Sequence, residues 1–208
     1  MLEHIEIILD SFWDFDMSLM QNWIGIICGF CIGLVGFFMI ATHTASRRIL
    51  SIISAIICAL IGYVYEPLIA IYASFVCIFV LSLCVWDIQQ YAVPNWQNLI
   101  LLALGGIKFI FVLDLDIFED MFMGAGVIGL VYVIGKMLLH KEILGEADIV
   151  FCASVGALFG MYNLILSIFW GCVLACAVFV LYKLAHKHLY KIPLIPFISG
   201  GFVIGIMV

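Results

Sequence analysis

Apolar runs long enough to cross a membrane recur along this chain and restrict its fold more than any other sequence feature. A helix needs about 20 mainly apolar residues to cross the hydrocarbon core of a bilayer. Eight runs can be placed, over residues 23–43, 49–65, 68–86, 96–113, 121–139, 149–160, 164–182 and 192–208. The sixth is short and contains glycine. The sequence therefore predicts an all-α fold, a polytopic helical bundle in the membrane with about eight transmembrane helices.

The composition excludes a soluble domain. Hydrophobic residues make up 67% of the chain and charged residues 11%, against roughly 45–50% and about 25% in soluble proteins. Eight Lys and Arg residues are too few for a nucleic-acid partner. Residues 1–21 form an acidic tail that we expect on the non-cytoplasmic side, and residues 22–208 are predicted to form a single membrane domain in contact with the lipid bilayer.

The eight cysteines all lie within the apolar runs. Cys28 and Cys31 have the spacing of half a zinc knuckle, but a structural zinc site needs a second pair, and no second pair is present. Buried cysteine commonly behaves as a small apolar residue. We therefore expect the cysteines to be packing residues and predict neither a metal nor a cofactor.

The distribution of basic residues predicts the orientation. With eight alternating spans, one face of the membrane receives seven cations: Arg47, Arg48, Lys136, Lys141, Lys183, Lys187 and Lys191. The positive-inside rule makes that face cytoplasmic. Most acids fall on the opposite face. The eighth cation, Lys108, lies within the fourth span and is expected to extend towards the acidic loop at 114–120.

Two aspartates depart from this charge pattern. Asp87 ends one apolar run and Asp148 opens another, so both are predicted at the cytoplasmic boundary. An ionisable group within a membrane is costly and commonly functional. Taken singly, each also has a simpler interpretation. Asp148 would be favoured at a helix N-terminus by the helix dipole, and Asp87 could be a boundary residue in water.

The neighbours of the two aspartates favour a functional interpretation. Pro94 cannot continue a helix, so it predicts a reversal that returns the chain to the membrane after Asp87. Gly145 would allow a tight bend immediately before Asp148. Glu146 could bind a basic peptide, although an ordinary boundary acid is the simpler interpretation.

These residues together resemble the type IV prepilin peptidases, which are membrane aspartic proteases of the Gly-x-Gly-Asp type. The resemblance covers residues 66–208, predicted as the peptidase core. Three segments carry it, namely Trp86-Asp87 with Pro94-Asn95, Gly145-Glu146-Ala147-Asp148, and the Pro-Phe…Gly segment within 192–200. Ala147 stands where the commonest family motif has glycine. The zinc-binding insert that many members carry after the first helix is absent from residues 44–48.

The resemblance implies a membrane-embedded aspartic endopeptidase. Its expected activity is removal of the short basic leader from type IV prepilins or pseudopilins at the cytoplasmic face of a bacterial inner membrane. It implies that Asp87 and Asp148 are catalytic. The residues expected to position them are Gly145, Glu146, Ala147, Pro94 and Asn95. Without the insert, the N-methyltransferase activity of many family members is not expected.

Other functions compete with this interpretation. A small proton- or cation-coupled transporter could use Asp87 and Asp148 as ligands, but it predicts acids nearer the bilayer midplane and repeated half-domains. A scaffold protein could retain the fold without the chemistry, although the presence of both aspartates disfavours it. The presenilin-like proteases have a similar motif, but their Pro-Ala-Leu segment is missing here.

Overall fold

The computed structural model describes residues 22–38, 47–140, 144–185 and 192–207. Within these ranges the chain forms eight helices and no strand, which confirms the all-α class. The helices are α1 (Asn22–Phe38), α2 (Arg47–Val64), α3 (Pro67–Gln90), α4 (Asn95–Val112), α5 (Asp116–Leu139), α6 (Glu146–Phe159), α7 (Met161–Leu184) and α8 (Leu194–Met207). The predicted tail 1–21 and three of the cations used for orientation, Lys141, Lys187 and Lys191, lie outside the described residues.

Four helices, α3, α4, α5 and α7, are long and apolar enough to cross a membrane. Only 17% of the most apolar stretch of α5, and the same share of α7, is buried within the protein. Apolar surface of this extent is rare on soluble monomers, so the chain is a multi-pass membrane protein. Helices α1 and α8, and α2 from Arg48 onwards, are shorter apolar helices. Helix α6 is also short, with 14 residues. Eight complete crossings remain a prediction.

The chain divides into two compact units, Met1–Ser82 and Leu83–Val208, and the boundary falls within α3. In the first unit α1 and α2 pack antiparallel through small residues. A Cβ at Gly33 would lie 2.7 Å from the Ala55 Cα, and one at Gly29 would contact the Cys58 carbonyl oxygen. This close approach of two helix backbones is the packing mode that small residues permit in membranes.

The second unit contains the end of α3 and α4 to α8. Helix α5 packs antiparallel against α6, and α7 packs antiparallel against α8. Gly160, with φ 86°, joins α6 directly to α7 in a backbone conformation that side chains disfavour. The short α6 lies among its neighbours, and Phe151 to Leu158 are all buried.

Helices α4 and α6 run parallel and are joined at both ends. Asn98 Nδ2 donates a hydrogen bond to the Ala147 carbonyl at 2.7 Å, and Lys108 Nζ donates to the Leu158 carbonyl at 2.8 Å. These bonds are separated by about 15 Å along α4 and about 16 Å along α6. Lys108 therefore binds a carbonyl at the end of α6, where the helix dipole favours a cation, and not the acidic loop expected from the sequence.

Candidate active site

Four helix ends supply the residues around the two aspartates. Helix α3 ends at Gln90, α4 begins at Asn95, α6 begins at Glu146 and α8 begins at Leu194. All four ends belong to the unit Leu83–Val208. The first N–H groups and the last carbonyl groups of a helix have no partner within that helix. Several such groups are therefore available for hydrogen bonds around the two aspartates.

Asp87 lies in the last turn of α3 and is only 7% exposed. Its Oδ2 atom accepts a buried hydrogen bond of 3.0 Å from the Ile195 N–H, in the first turn of α8. One turn earlier in α3, the Cys84 thiol donates to Ser199 Oγ at 3.3 Å. The two bonds attach the end of α3 to the start of α8. The Ile195 N–H is one of the amides that α8 cannot satisfy by itself, so the Asp87 carboxylate caps a neighbouring helix.

Asp148 is the third residue of α6 and is partly buried. Its Oδ2 atom accepts a hydrogen bond of 3.0 Å from the Gly145 N–H, and its own N–H donates to the Gly145 carbonyl at 3.1 Å. The first bond is the reverse half of a capping box. In a capping box the side chain of the residue before the helix also accepts a bond from the third N–H. Glycine has no side chain, so here the Gly145 carbonyl accepts the bond from the Asp148 N–H. Burial raises the pKa of the Asp148 carboxyl above its usual range, and the Gly145 N–H acts in the opposite direction.

The two carboxylates are near enough for the negative charge of Asp148 to act on Asp87. They come from different helices that are separated in sequence by α4 and α5. The fold therefore brings both predicted catalytic residues into one electrostatic environment. Two carboxylates whose charges act on one another resist simultaneous ionisation. Their catalytic roles stay a prediction.

Pro94 occupies the position before the first residue of α4, with φ −64° and ψ 118°. Its carbonyl accepts hydrogen bonds from the N–H groups of Gln97 at 3.1 Å and Asn98 at 3.4 Å. The predicted reversal after Asp87 is therefore present, with Pro94 starting the returning helix. Asn95, the first residue of α4, is exposed.

Gly145 differs from its sequence-based expectation. It precedes α6 with φ −83° and ψ 151°, an extended conformation open to any residue. A Cβ there would meet Asp148 Oδ2 at 3.5 Å, an ordinary contact. The backbone at this position therefore does not require glycine, and the Gly145 N–H is bound by the Asp148 carboxylate. Glu146 is exposed, and Ala147 contributes its carbonyl to the bond with Asn98.

The sequence interpretation did not include Asn98. Its side chain is 2% exposed and binds the carbonyl of the residue before Asp148. One signal was available, since Gln97 and Asn98 are consecutive polar residues inside an apolar run. Both are buried, and buried polar side chains need hydrogen-bond partners.

The described ranges hold no group of three or more His, Cys, Asp or Glu side chains that could bind a metal ion. The cysteines in these ranges are free thiols. The absence of a metal cofactor stays a prediction.

Comparison with known proteins gives the chain a family. The model of the type IV leader peptidase family matches residues 74–181, from within α3 to within α7. The match covers more than half of the 208 residues and includes both aspartates. No curated protein and no solved structure matches the chain. The family match confirms the resemblance found in the sequence, and the chain belongs to the type IV leader peptidase family.

Proposed function

We propose that this peptidase is an aspartic endopeptidase that removes the short basic leader from type IV prepilins or pseudopilins. The observation that carries the proposal is the proximity of Asp87 and Asp148, which is close enough for the charge of Asp148 to act on Asp87. Family membership supports peptidase activity. The use of aspartates, the substrate and the cytoplasmic location of the site belong to the proposal.

The chemistry follows from one proton held by two carboxyl groups. The ionised aspartate accepts a proton from a water molecule as the water oxygen attacks the scissile carbonyl carbon. The protonated aspartate donates its proton to the carbonyl oxygen. When the tetrahedral intermediate collapses, the C–N bond breaks and the leaving nitrogen takes the proton that the first aspartate received from water. One hydroxyl of the intermediate returns a proton to the second aspartate as the carbonyl re-forms. These proton transfers use the two aspartates alone, so the mechanism needs neither an acyl-enzyme nor a cofactor.

Charge distribution supports the proposed substrate and side of the membrane. A leader rich in Lys and Arg stays on the cytoplasmic side of a membrane. The predicted orientation puts Asp87 and Asp148 on that same side. This agreement rests on the positions of basic residues in the chain and is independent of the family match. The protein would accordingly lie in a bacterial inner membrane, with its active site facing the cytoplasm.

The transporter alternative fits the structure less well. Coupling acids in transporters usually lie near the bilayer midplane, often at broken helices between repeated halves. Asp87 is in the last turn of α3 and Asp148 in the first turn of α6, so both lie at helix ends.

The test is cleavage of a prepilin-like peptide, with a basic leader followed by an apolar segment, by the purified protein in lipid. Asp87→Asn and Asp148→Asn remove one ionisable group each while keeping the side-chain shape. We expect each to lower kcat/KM by about 10³-fold or more, because proton transfer by a positioned carboxyl typically contributes that much.

The matched control is Glu119→Gln, which neutralises an exposed acid in the first turn of α5. It should leave cleavage unchanged. Each variant is first compared with the wild type by gel filtration and thermal unfolding. Substantial cleavage by a folded Asp87→Asn or Asp148→Asn protein would refute the proposal.

A further inference from the structure

The Asn98 side chain ties the first turn of α4 to the active-site helix. Its Nδ2 atom donates to the Ala147 carbonyl oxygen at 2.7 Å. That carbonyl belongs to the peptide group that joins Ala147 to Asp148. Asn98 therefore contacts the backbone next to a proposed catalytic aspartate, although it is separated from it by 50 positions in the sequence.

The other polar atom of the same side chain is left without a partner. Asn98 Oδ1 is buried and has no hydrogen-bond partner among the described residues. The bond to Ala147 also fixes which amide atom is which, because a carbonyl oxygen accepts only from a donor. Buried acceptors in folded proteins are nearly always paired, since leaving one unpaired is costly. An exception beside a proposed catalytic residue indicates a partner that arrives with the substrate.

Three backbone donors at these helix ends are already in use. The Gly145 N–H donates to Asp148 Oδ2, and the Asp148 N–H donates to the Gly145 carbonyl. The Asn98 N–H donates to Pro94. A peptide substrate supplies new donors, because a helical segment must open before it can be cut. Opening releases backbone N–H groups from their internal bonds, and they then need acceptors in a site that excludes water.

We propose that Asn98 is a substrate-binding residue, whose Oδ1 atom accepts a hydrogen bond from a backbone N–H of the opened peptide. The bond from Nδ2 to Ala147 holds that acceptor beside Asp148. This inference rests on the proposed peptidase function. It adds that the protein recognises a main-chain N–H of the extended peptide. Recognition of main chain is compatible with substrates whose side chains differ.

The experiment uses a set of prepilin-like peptides in which one backbone N–H at a time, on either side of the cut, is replaced by an ester oxygen. The scissile bond itself is left as an amide. For the wild-type protein in lipid, we expect one ester position to lower kcat/KM about tenfold, the usual effect of one lost hydrogen bond. In Asn98→Leu, which has a similar shape and no acceptor, the same ester and amide peptides should be cleaved within about twofold of each other.

Asn163→Leu is the matched control. Asn163, near the start of α7, makes a local bond of the same chemistry, in which its Nδ2 atom donates to the carbonyl of Phe159 at the end of α6 at 2.7 Å. This variant should keep the full tenfold preference for the amide peptide. Asn98→Ala is made in parallel, so that a folded protein without the acceptor is available if the leucine variant does not fold.

Two results would overturn the inference while leaving the proposed function intact. In one, the wild type cleaves every ester peptide as well as the amide peptide, a comparison that needs no variant. In the other, Asn98→Leu or Asn98→Ala discriminates between amide and ester as strongly as the wild type. Failure of the wild type to cleave even the amide peptide would instead refute the proposed function, and this inference with it.

Discussion

Asp87 occupies a position that its own helix does not favour. It lies in the last turn of α3, where the helix dipole opposes a negative charge. Its carboxylate is satisfied from outside, by the Ile195 N–H at the start of α8. Asp148 has the opposite arrangement, since it lies in the first turn of its own helix and bonds the N–H of Gly145. At the scale of single residues, the two acids are therefore held by different hydrogen bonds. Asp87 is bound by a neighbouring helix, and Asp148 is bound within its own turn.

The Gly145 N–H allows a test of how Asp148 is held. Gly145→Ala keeps the N–H and fits the extended backbone, so we expect cleavage within a few-fold of the wild type. Gly145→Pro removes the N–H, and the charged form of Asp148 loses a hydrogen bond. The pKa of Asp148 should then rise further, so that the pair holds its proton to higher pH and the optimum of kcat/KM moves upward.

The measurement is the pH dependence of cleavage for wild type, Gly145→Ala and Gly145→Pro. Loss of cleavage in a folded Gly145→Ala protein would show that the glycine has a role beyond this backbone geometry. An unchanged pH optimum in an active Gly145→Pro protein would contradict the assigned hydrogen bond.

At the scale of helices, α6 determines where Asp148 lies. It has 14 residues, and its position is fixed by close packing with α5 and by bonds from α4 at both ends. A Cβ at Gly124 of α5 would approach the Cys152 carbonyl oxygen to 2.7 Å. Glycine at this position lets the two backbones approach one another.

The glycines of α5 provide a matched comparison. Gly124→Ala should destabilise the protein by about 1–3 kcal/mol, the usual cost of inserting a methyl group into a packed contact. Gly126→Ala adds the same group where no atom lies within 4 Å, and stability should be equal or slightly higher because alanine favours helix. Unfolding in mixed detergent micelles measures both. Equal stability of the two variants would contradict the α5–α6 packing.

The sequence identified the helices well and their partners poorly. All eight apolar runs correspond to helices, because long apolar stretches are a local signal. Asp87 and Asp148 were found by the same reasoning, as acids at the ends of such stretches. Ile195 was not, because a backbone amide carries no residue-specific signal. Asn98 was not, because the polar pair Gln97-Asn98 within an apolar run does not indicate which helix it contacts. The partner of Lys108 was missed because the end of α6 depends on packing between helices.

At the scale of the whole chain, the match to the peptidase family covers only part of the proposed site. It ends at residue 181, whereas the Ile195 N–H that binds Asp87 lies in α8. Truncation before α8 should therefore remove a group that holds Asp87, a proposed catalytic residue. The sequence resemblance over residues 66–208 already included this segment.

Methylation of the cleaved product is a second activity for which the chain can be tested. The chain lacks the zinc-binding insert associated with it, and residues 44–48 occupy that place. We expect the mass of the cleaved product, formed with S-adenosylmethionine present, to correspond to leader removal alone. A gain of one methyl group would show that this chain methylates its product without the insert.

Asp87 and Asp148 are proposed to form one site, and cross-linking in the membrane probes their proximity. Asp87→Cys and Asp148→Cys are combined in a chain with Cys84→Ala and Cys152→Ala, and treated with a short thiol-specific cross-linker. We expect a linked peptide pair that contains both positions. The control pair is Asp148→Cys with Glu119→Cys in the same background, and it should give no link. Glu119 is next to Asp120 in the chain, and the Asp120 backbone lies near Gly156, towards the opposite end of α6 from Asp148. Linkage of the control pair without linkage of the aspartate pair would show that Asp87 and Asp148 do not share a site.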